Sequence, residues 1–199
     1  LVGGAGGAGI WNAGAIGPLV NSGKIEGGAG GAGATPGAAG DAIYSAGATA
    51  SIGPIANSGR IIGNVEIDNQ TSVAVAGGSG KTFGSWTGGT ITISVGNLAF
   101  AGGHTALGDD ISVDGGAGTV TNMGRLRIAA PQAIAGNFTQ EPGGVLGLDF
   151  AGDVFGQYGA LTVTKLTTLD GGLAIDLTHG FTLATGDSFD ILGFGILGG

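Results

Sequence analysis

The sequence predicts an all-β chain wound as a right-handed parallel β-helix that ends in a C-terminal β cap, and three observations carry that prediction. Glycine fills 48 of 199 positions in a chain that is only 10% charged and has a mean hydropathy of +0.40. A twelve-residue segment near the N-terminus recurs downstream almost unchanged. Short runs of alternating apolar and polar residues, separated by glycine pairs, fill the middle of the chain.

Composition narrows the class first. Gly and Pro together make 48 + 5 = 53 of 199 residues, a level at which low-complexity disorder has to be considered. Disordered chains are poor in apolar residues and rich in charge, and this chain is the reverse. Collagen is excluded because no strict three-residue period runs the whole length. Aromatics are 6%, so Ala, Ile, Leu and Val supply most of the apolar volume, which suits a narrow core of stacked layers. Six Lys and Arg against fourteen Asp and Glu give a net charge of −8, which argues against a nucleic-acid partner. Without cysteine there is no disulfide, thiolate metal site or cysteine nucleophile. No signal-peptide pattern opens the chain, so an interior piece of a longer protein is expected.

The repeat is the strongest signal. IGPLVNSGKIEG from Ile16 to Gly27 returns as IGPIANSGRIIG from Ile52 to Gly63, an offset of 52 − 16 = 36 residues. Inside it sits an N-x-G-x-I element, at Asn12-Gly14-Ile16, Asn21-Gly23-Ile25 and Asn57-Gly59-Ile61, with a variant at Asn122-Gly124-Leu126. Asn and Gly accept the backbone of a tight corner, and the following Ile or Leu drops into a core. We therefore expect Ile16, Ile25, Ile52 and Ile61 to point inward, and the Asn residues to stack as a corner ladder. An offset of 36 residues suggests two coils of about 18 residues each. Further on, Thr90 to Val95, Ile111 to Val113 and Leu126 to Ile128 alternate as half-buried strands do. A β-sandwich shares short strands and Gly turns, but the Asn-Gly repeat favours the solenoid.

From Asn137 the texture changes. Most of the aromatics lie here, and longer strands appear at Ala160 to Thr164, Leu173 to Leu177 and Ser188 to Leu192. Residues 1–136 thus read as a Gly-rich stem and 137–199 as a cap that protects the open end of the last coil. Tyr158, Leu161 and Val163 lead to Leu169, Gly171 or Gly172, and Leu173; then come Gly180-Phe181, Gly186-Asp187, Phe189 and Ile191-Leu192. This order, from about Asn137 to Leu192, resembles the distal part of bacterial autotransporter passenger domains, and the coils before it resemble the passenger stem. The resemblance implies an autochaperone-like cap marked by Tyr158, Phe181, Asp187 and Phe189, a cell-surface or extracellular location, and an outer-membrane barrel in the full-length protein.

Chemical motifs are few. Gly78-Ser79-Gly80-Lys81-Thr82 resembles the end of a phosphate loop, but Val75 stands where its first glycine belongs, so a solvated turn is expected. Gly4-Gly6-Gly9 and Gly28-Gly30-Gly33 satisfy G-x-G-x-x-G with no helix to follow. GGAGGAGIW and GGAGGAGAT approach a Ca²⁺ nonapeptide, with Ala8 and Ala32 in place of the ligating Asp. Flexible Gly-Ala loops are the expectation there. His104, Asp109 and Asp110 are the nearest thing to an acid–base cluster, and a turn is the plainer reading. Thr90-Thr92 and Thr162-Thr164 are too scattered for a flat crystal-binding array. No cofactor, metal or catalytic residue is expected. The function expected is an adhesin-like stem that meets a host or neighbouring-cell surface, or itself; the alternative is a polysaccharide-acting enzyme on the same scaffold.

Overall fold

The computed structural model describes residues 1–198, and the chain folds as a parallel β-helix. Every named strand pairing is parallel, and three faces build up rung by rung. The first face begins with Ile10–Asn12, Ile43–Ser45 and Val65–Ile67. The second begins with Leu19–Asn21 and Ile55–Asn57, and the third with Lys24–Glu26 and Arg60–Ile62. Later strands such as Gly84–Ile93 and His104–Val113 turn the corner from third face to first without a break.

Alternation explains why these residues form a helix of strands. In Arg60–Ile62 only Ile61 is fully buried, and in Arg125–Ile128 Leu126 and Ile128 face the core while Arg125 and Arg127 face out. One inward column on the third face runs Ile25, Ile61, Trp86, Leu107, Ile128, Leu148 and Ile175, each in register with the next. Each fully buried aliphatic in it contributes roughly 1.5–3 kcal/mol over an exposed one. Ile52 and Ile61 are buried as expected, whereas Ile16 and Ile25 in the first coil are only partly covered.

The same column corrects the coil length. Its steps are 61 − 25 = 36, 86 − 61 = 25, 107 − 86 = 21, 128 − 107 = 21, 148 − 128 = 20 and 175 − 148 = 27 residues. The 36-residue repeat is therefore one large coil, not two small ones. Its extra length leaves the barrel between Glu26 and Ile43.

That excursion is not flexible loop. Residues 1–9, 27–33 and 34–42 lie side by side and exchange hydrogen bonds every third residue: Gly3, Gly6 and Gly9 donate to Thr35, Ala38 and Asp41, while Gly28 and Gly31 donate to Gly7 and Gly4. A three-residue period is that of polyproline II, a helix with no internal hydrogen bonds. The inward positions admit no side chain. A Cβ on Gly3 or Gly6 would stand 1.9 Å from a carbonyl oxygen of the neighbouring segment, and on Gly27 or Gly30 1.8 or 1.9 Å. Gly4 and Gly7, on the outer side, would meet nothing within 4 Å. The G-x-G-x-x-G and nonapeptide-like spacings are thus packing periods of this bundle.

The Asn corners hold the coils in short pieces. The Oδ1 of Asn12, Asn21, Asn57 and Asn122 accepts from the backbone N–H of Gly14, Gly23, Gly59 and Gly124 at 3.1–3.2 Å. Each Nδ2 then reaches the neighbouring coil: Asn12 to Ser45 Oγ (2.9 Å), Asn21 to Asn57 Oδ1 (2.8 Å), Asn57 to the Ser85 carbonyl (3.2 Å) and Asn122 to Gln140 Oε1 (3.4 Å). No continuous ladder forms, because Asn122 falls in register with Phe100 and Gln140, on a column that leads back to Val75 and Ile55 rather than to Asn57. Asn57→Ala is expected to lower the unfolding free energy by about 1–3 kcal/mol by stranding one buried and two partly buried partners. Urea titration reads this directly, and an unchanged midpoint would show that the corner amide is dispensable.

The segment from residue 137 prolongs the helix where a closing cap was expected. Asn137–Gln140 pairs with Thr119–Asn122, and Leu161–Leu169 continues both the first and second faces. Tyr158 is buried and packs with Phe150 (5.4 Å) and Phe189 (5.1 Å, edge-on), with Phe181 6.3 Å from Phe189. Phe181 and Phe189 are partly covered, and Asp187 closes a turn by accepting from Ala184 N–H at 2.7 Å. Yet Leu173 and Leu197 on the last described rungs remain 56% and 54% exposed, so this cluster covers one corner of the end and not its face.

Candidate functional site

The structure separates His104 from Asp109 and Asp110 and replaces the expected turn with a strand. His104–Val113 is a ten-residue strand, not a turn, since Thr105, Leu107, Asp109 and Ile111 alternate inward. His104 opens the third-face half, while Asp110 pairs with Thr90 in the first-face half. Five strand steps, at most about 16 Å along the chain, separate His104 from Asp109.

Asp109 is nonetheless unusual. It is buried, its Oδ1 accepts from Gly89 N–H at 2.9 Å, and its Oδ2 has no partner. Burial pushes its carboxyl above the ordinary aspartate range and the Asp110 charge adds to this, against hydrogen bonds from Gly89 and Gly88. A raised carboxyl pKa costs stability in full above its folded value. The cost shrinks as pH falls toward the ordinary aspartate pKa and is gone below it. Asp109→Asn is therefore expected to raise the melting temperature at neutral pH and to lose that advantage in acid. A melting temperature lowered at neutral pH would show that the charge itself is needed.

The GSGKT segment is the turn expected of it. Thr82 N–H donates to the Ser79 carbonyl at 3.0 Å, Gly80 has φ 62°, and Gly78 exchanges two backbone hydrogen bonds with His104. The turn's effect is to carry Lys81 and Phe83 over the edge of the third face.

There they meet nearly all the basic residues of the chain. Its six Lys and Arg are Lys24, Arg60, Lys81, Arg125, Arg127 and Lys165, and all but Lys165 lie on the third face or on this turn. One outward column reads Lys24, Arg60, Ser85, Ala106, Arg127, Gly147 and Ala174, each in register with the next. Lys24 and Arg60 stack like on like, an arrangement that weakens a sheet. Lys24 pairs with Glu26, while Arg60 makes no ion pair among the described residues.

The centre of this face is a shallow depression of about 340 Å³ lined by Lys81, Phe83, His104, Arg125, Arg127 and Asp176. A second, of about 290 Å³, opens beside it over Ala106 and Gly108; it shares Arg127 with the first and adds that residue's partner Asp149. Arg127 Nε donates to both oxygens of Asp149 (2.8 and 2.9 Å), Nη2 adds a third bond, and Arg125 Nη2 reaches Asp176 at 2.9 Å. Asp149 holds the Arg127 guanidinium more firmly protonated than usual. Phe83 forms the wall, 5.1 Å from the His104 ring and 5.4 Å from the Arg127 guanidinium carbon. Two buried polar atoms without a partner, His104 Nδ1 and Arg125 Nε, belong to the lining.

Sequence reasoning missed this site because its residues are scattered from position 24 to 176. Part of the signal was present: the repeat places Lys24 over Arg60, and R-L-R puts Arg125 and Arg127 on one side of a strand. What defines the molecule is thus a parallel β-helix with one cationic, aromatic-walled face. Comparison with known protein families, with curated proteins and with solved structures finds no match. Among the described residues no cluster of metal-ligating side chains forms, and no helix is long and apolar enough to cross a membrane.

Proposed function

We propose that the chain is a stem segment of a surface-displayed bacterial protein, passenger-like in build, that presents a binding face rather than a catalytic site. The observation that carries this reading is the unbroken parallel ladder. Seven residues of one column, from Ile25 to Ile175, stay in register, a rod section about 29 Å long at strand spacing. A rod of this kind holds a face away from the cell at fixed geometry. The resemblance of Asn137 to Leu192 to autotransporter passengers supports the location, and with it an outer-membrane barrel in the full-length protein. A host or neighbouring-cell surface is the partner that an adhesin-like stem would meet.

Two features favour binding over catalysis. The three carboxylates of the cationic face, Glu26, Asp149 and Asp176, are each tied to a basic side chain, and His104 has no acid beside it from the Asp109–Asp110 pair. Antibodies against the chain are expected to label intact cells of the organism that encodes it. Labelling only after permeabilisation would overturn the surface reading. Release of reducing or unsaturated ends from a polysaccharide panel would favour the enzyme alternative instead.

A further inference from the structure

We propose that the third face binds a linear carboxylated polysaccharide, anchored in the depression between Phe83, His104, Arg125 and Arg127. The inference deepens the reading of the chain as a binding stem and adds the class of ligand. Five basic side chains against three carboxylates, Glu26, Asp149 and Asp176, leave an excess of positive charge on one side of a protein of net charge −8, a local attraction for anions that the rest of the surface opposes. Arg60 and Lys81 form no ion pair among the described residues. Arg125 Nε and His104 Nδ1 are buried in the lining without a partner, so the depression holds polar groups that the protein itself leaves unsatisfied.

The acids in the same groove select among anions. Asp149 and Asp176 stand in register beside the arginines, so cations and hydrogen-bond acceptors alternate over a few ångströms. Nucleic acid carries one charge for about every 1.7 Å of duplex and would meet those carboxylates at full density. A uronate chain carries one charge per sugar and offers hydroxyl donors between them, which matches alternating guanidinium and carboxylate groups. The floor suits a sugar ring as well: Ala106, Gly108, Gly147 and Ala174 present almost no side chain, and Phe83 gives the wall an apolar face. The column from Lys24 to Arg127 spans four strand steps, about 19 Å, so the face offers charges over the length of several sugars along the rod.

The test is calorimetric titration of the purified chain with polygalacturonate oligomers, with neutral dextran oligomers of equal length as the comparison. Polygalacturonate is expected to bind at low ionic strength, more weakly as salt rises, and dextran not at all. The double variant Arg60→Glu, Lys81→Glu reverses two exposed charges outside the Asp-paired core of the site. It is expected to weaken binding roughly tenfold or more. Lys165→Glu, off the face, should leave affinity unchanged. Should the double variant melt early, Lys81→Ala alone carries the comparison, with a smaller loss in the same direction. Absence of polygalacturonate binding at low salt, equal loss in Lys165→Glu, or equal affinity for polyglutamate or single-stranded DNA would each overturn the proposal. These outcomes are independent of cell labelling, so the ligand and the location fail separately.

Discussion

Ile61→Asp is expected to abolish the cooperative fold of the rod. Ile61 is fully buried and lies between Ile25 and Trp86 in the inward column. The substitution removes roughly 1.5–3 kcal/mol of apolar burial and adds a carboxylate with no partner, a further cost of several kcal/mol even after the group protonates. Against a typical domain stability of about 5–15 kcal/mol the sum is large enough to unfold the chain or to leave it marginal. The neighbouring Ile62→Asp places the same charge on the outward side and is expected to cost little, since Ile62 is only partly covered. Thermal unfolding followed by circular dichroism separates the two. Equal melting temperatures for the two variants would mean that the register from Ile25 through Trp86 is wrong.

The second large effect is local. Gly30→Val is expected to open the Gly-Ala bundle while leaving the later coils folded. A Cβ at position 30 would lie 1.9 Å from the carbonyl oxygen of Gly37 and 2.3 Å from its carbonyl carbon, and both are backbone atoms that cannot swing aside. The segments must separate, and the third-residue hydrogen bonds from Gly37 and Gly40 to Gly31 and Gly28 go with them. Gly7→Ala makes the matched control, because that position meets nothing within 4 Å. Elastase, which cuts beside small residues, should cleave the Gly30 variant within residues 27–42 and spare both the parent and the Gly7 variant. Equal resistance in all three would show that the bundle tolerates a side chain at its axis. The main melting transition should move little, since only the first two coils border the bundle.

The inward half of the fold was legible in the residues themselves. A strand alternates sides with period two, so Thr90 to Ile93 and Leu126 to Ile128 state which of their side chains enter the core. The N-x-G element is equally local: Asn Oδ1 bonds the glycine two residues on, and that bond needs nothing from elsewhere in the chain. What the repeat could not state was how many coils its 36 residues contain, because parallel pairing joins residues 18 to 36 apart and no local rule fixes the distance. The excursion at 27–42 absorbed the difference.

The three-residue period of that excursion was visible as glycine spacing, yet spacing alone does not distinguish a flexible loop from a bundle. The distinction is made by three segments meeting, 27–33 running antiparallel to the other two, where only glycine leaves room for the carbonyls. The cationic face followed the same rule. Lys24, Arg60, Lys81, Arg125 and Arg127 are ordinary surface residues in sequence, and the register of distant strands made them neighbours. By itself, then, the sequence determined the all-β class, the inward side chains and the corner hydrogen bonds, since each depends on residues within a few positions of one another. The tertiary structure alone decided coil length, the Gly-Ala bundle and the cationic face, because each depends on which distant strands stack, and that is settled by core packing and chain excursion together.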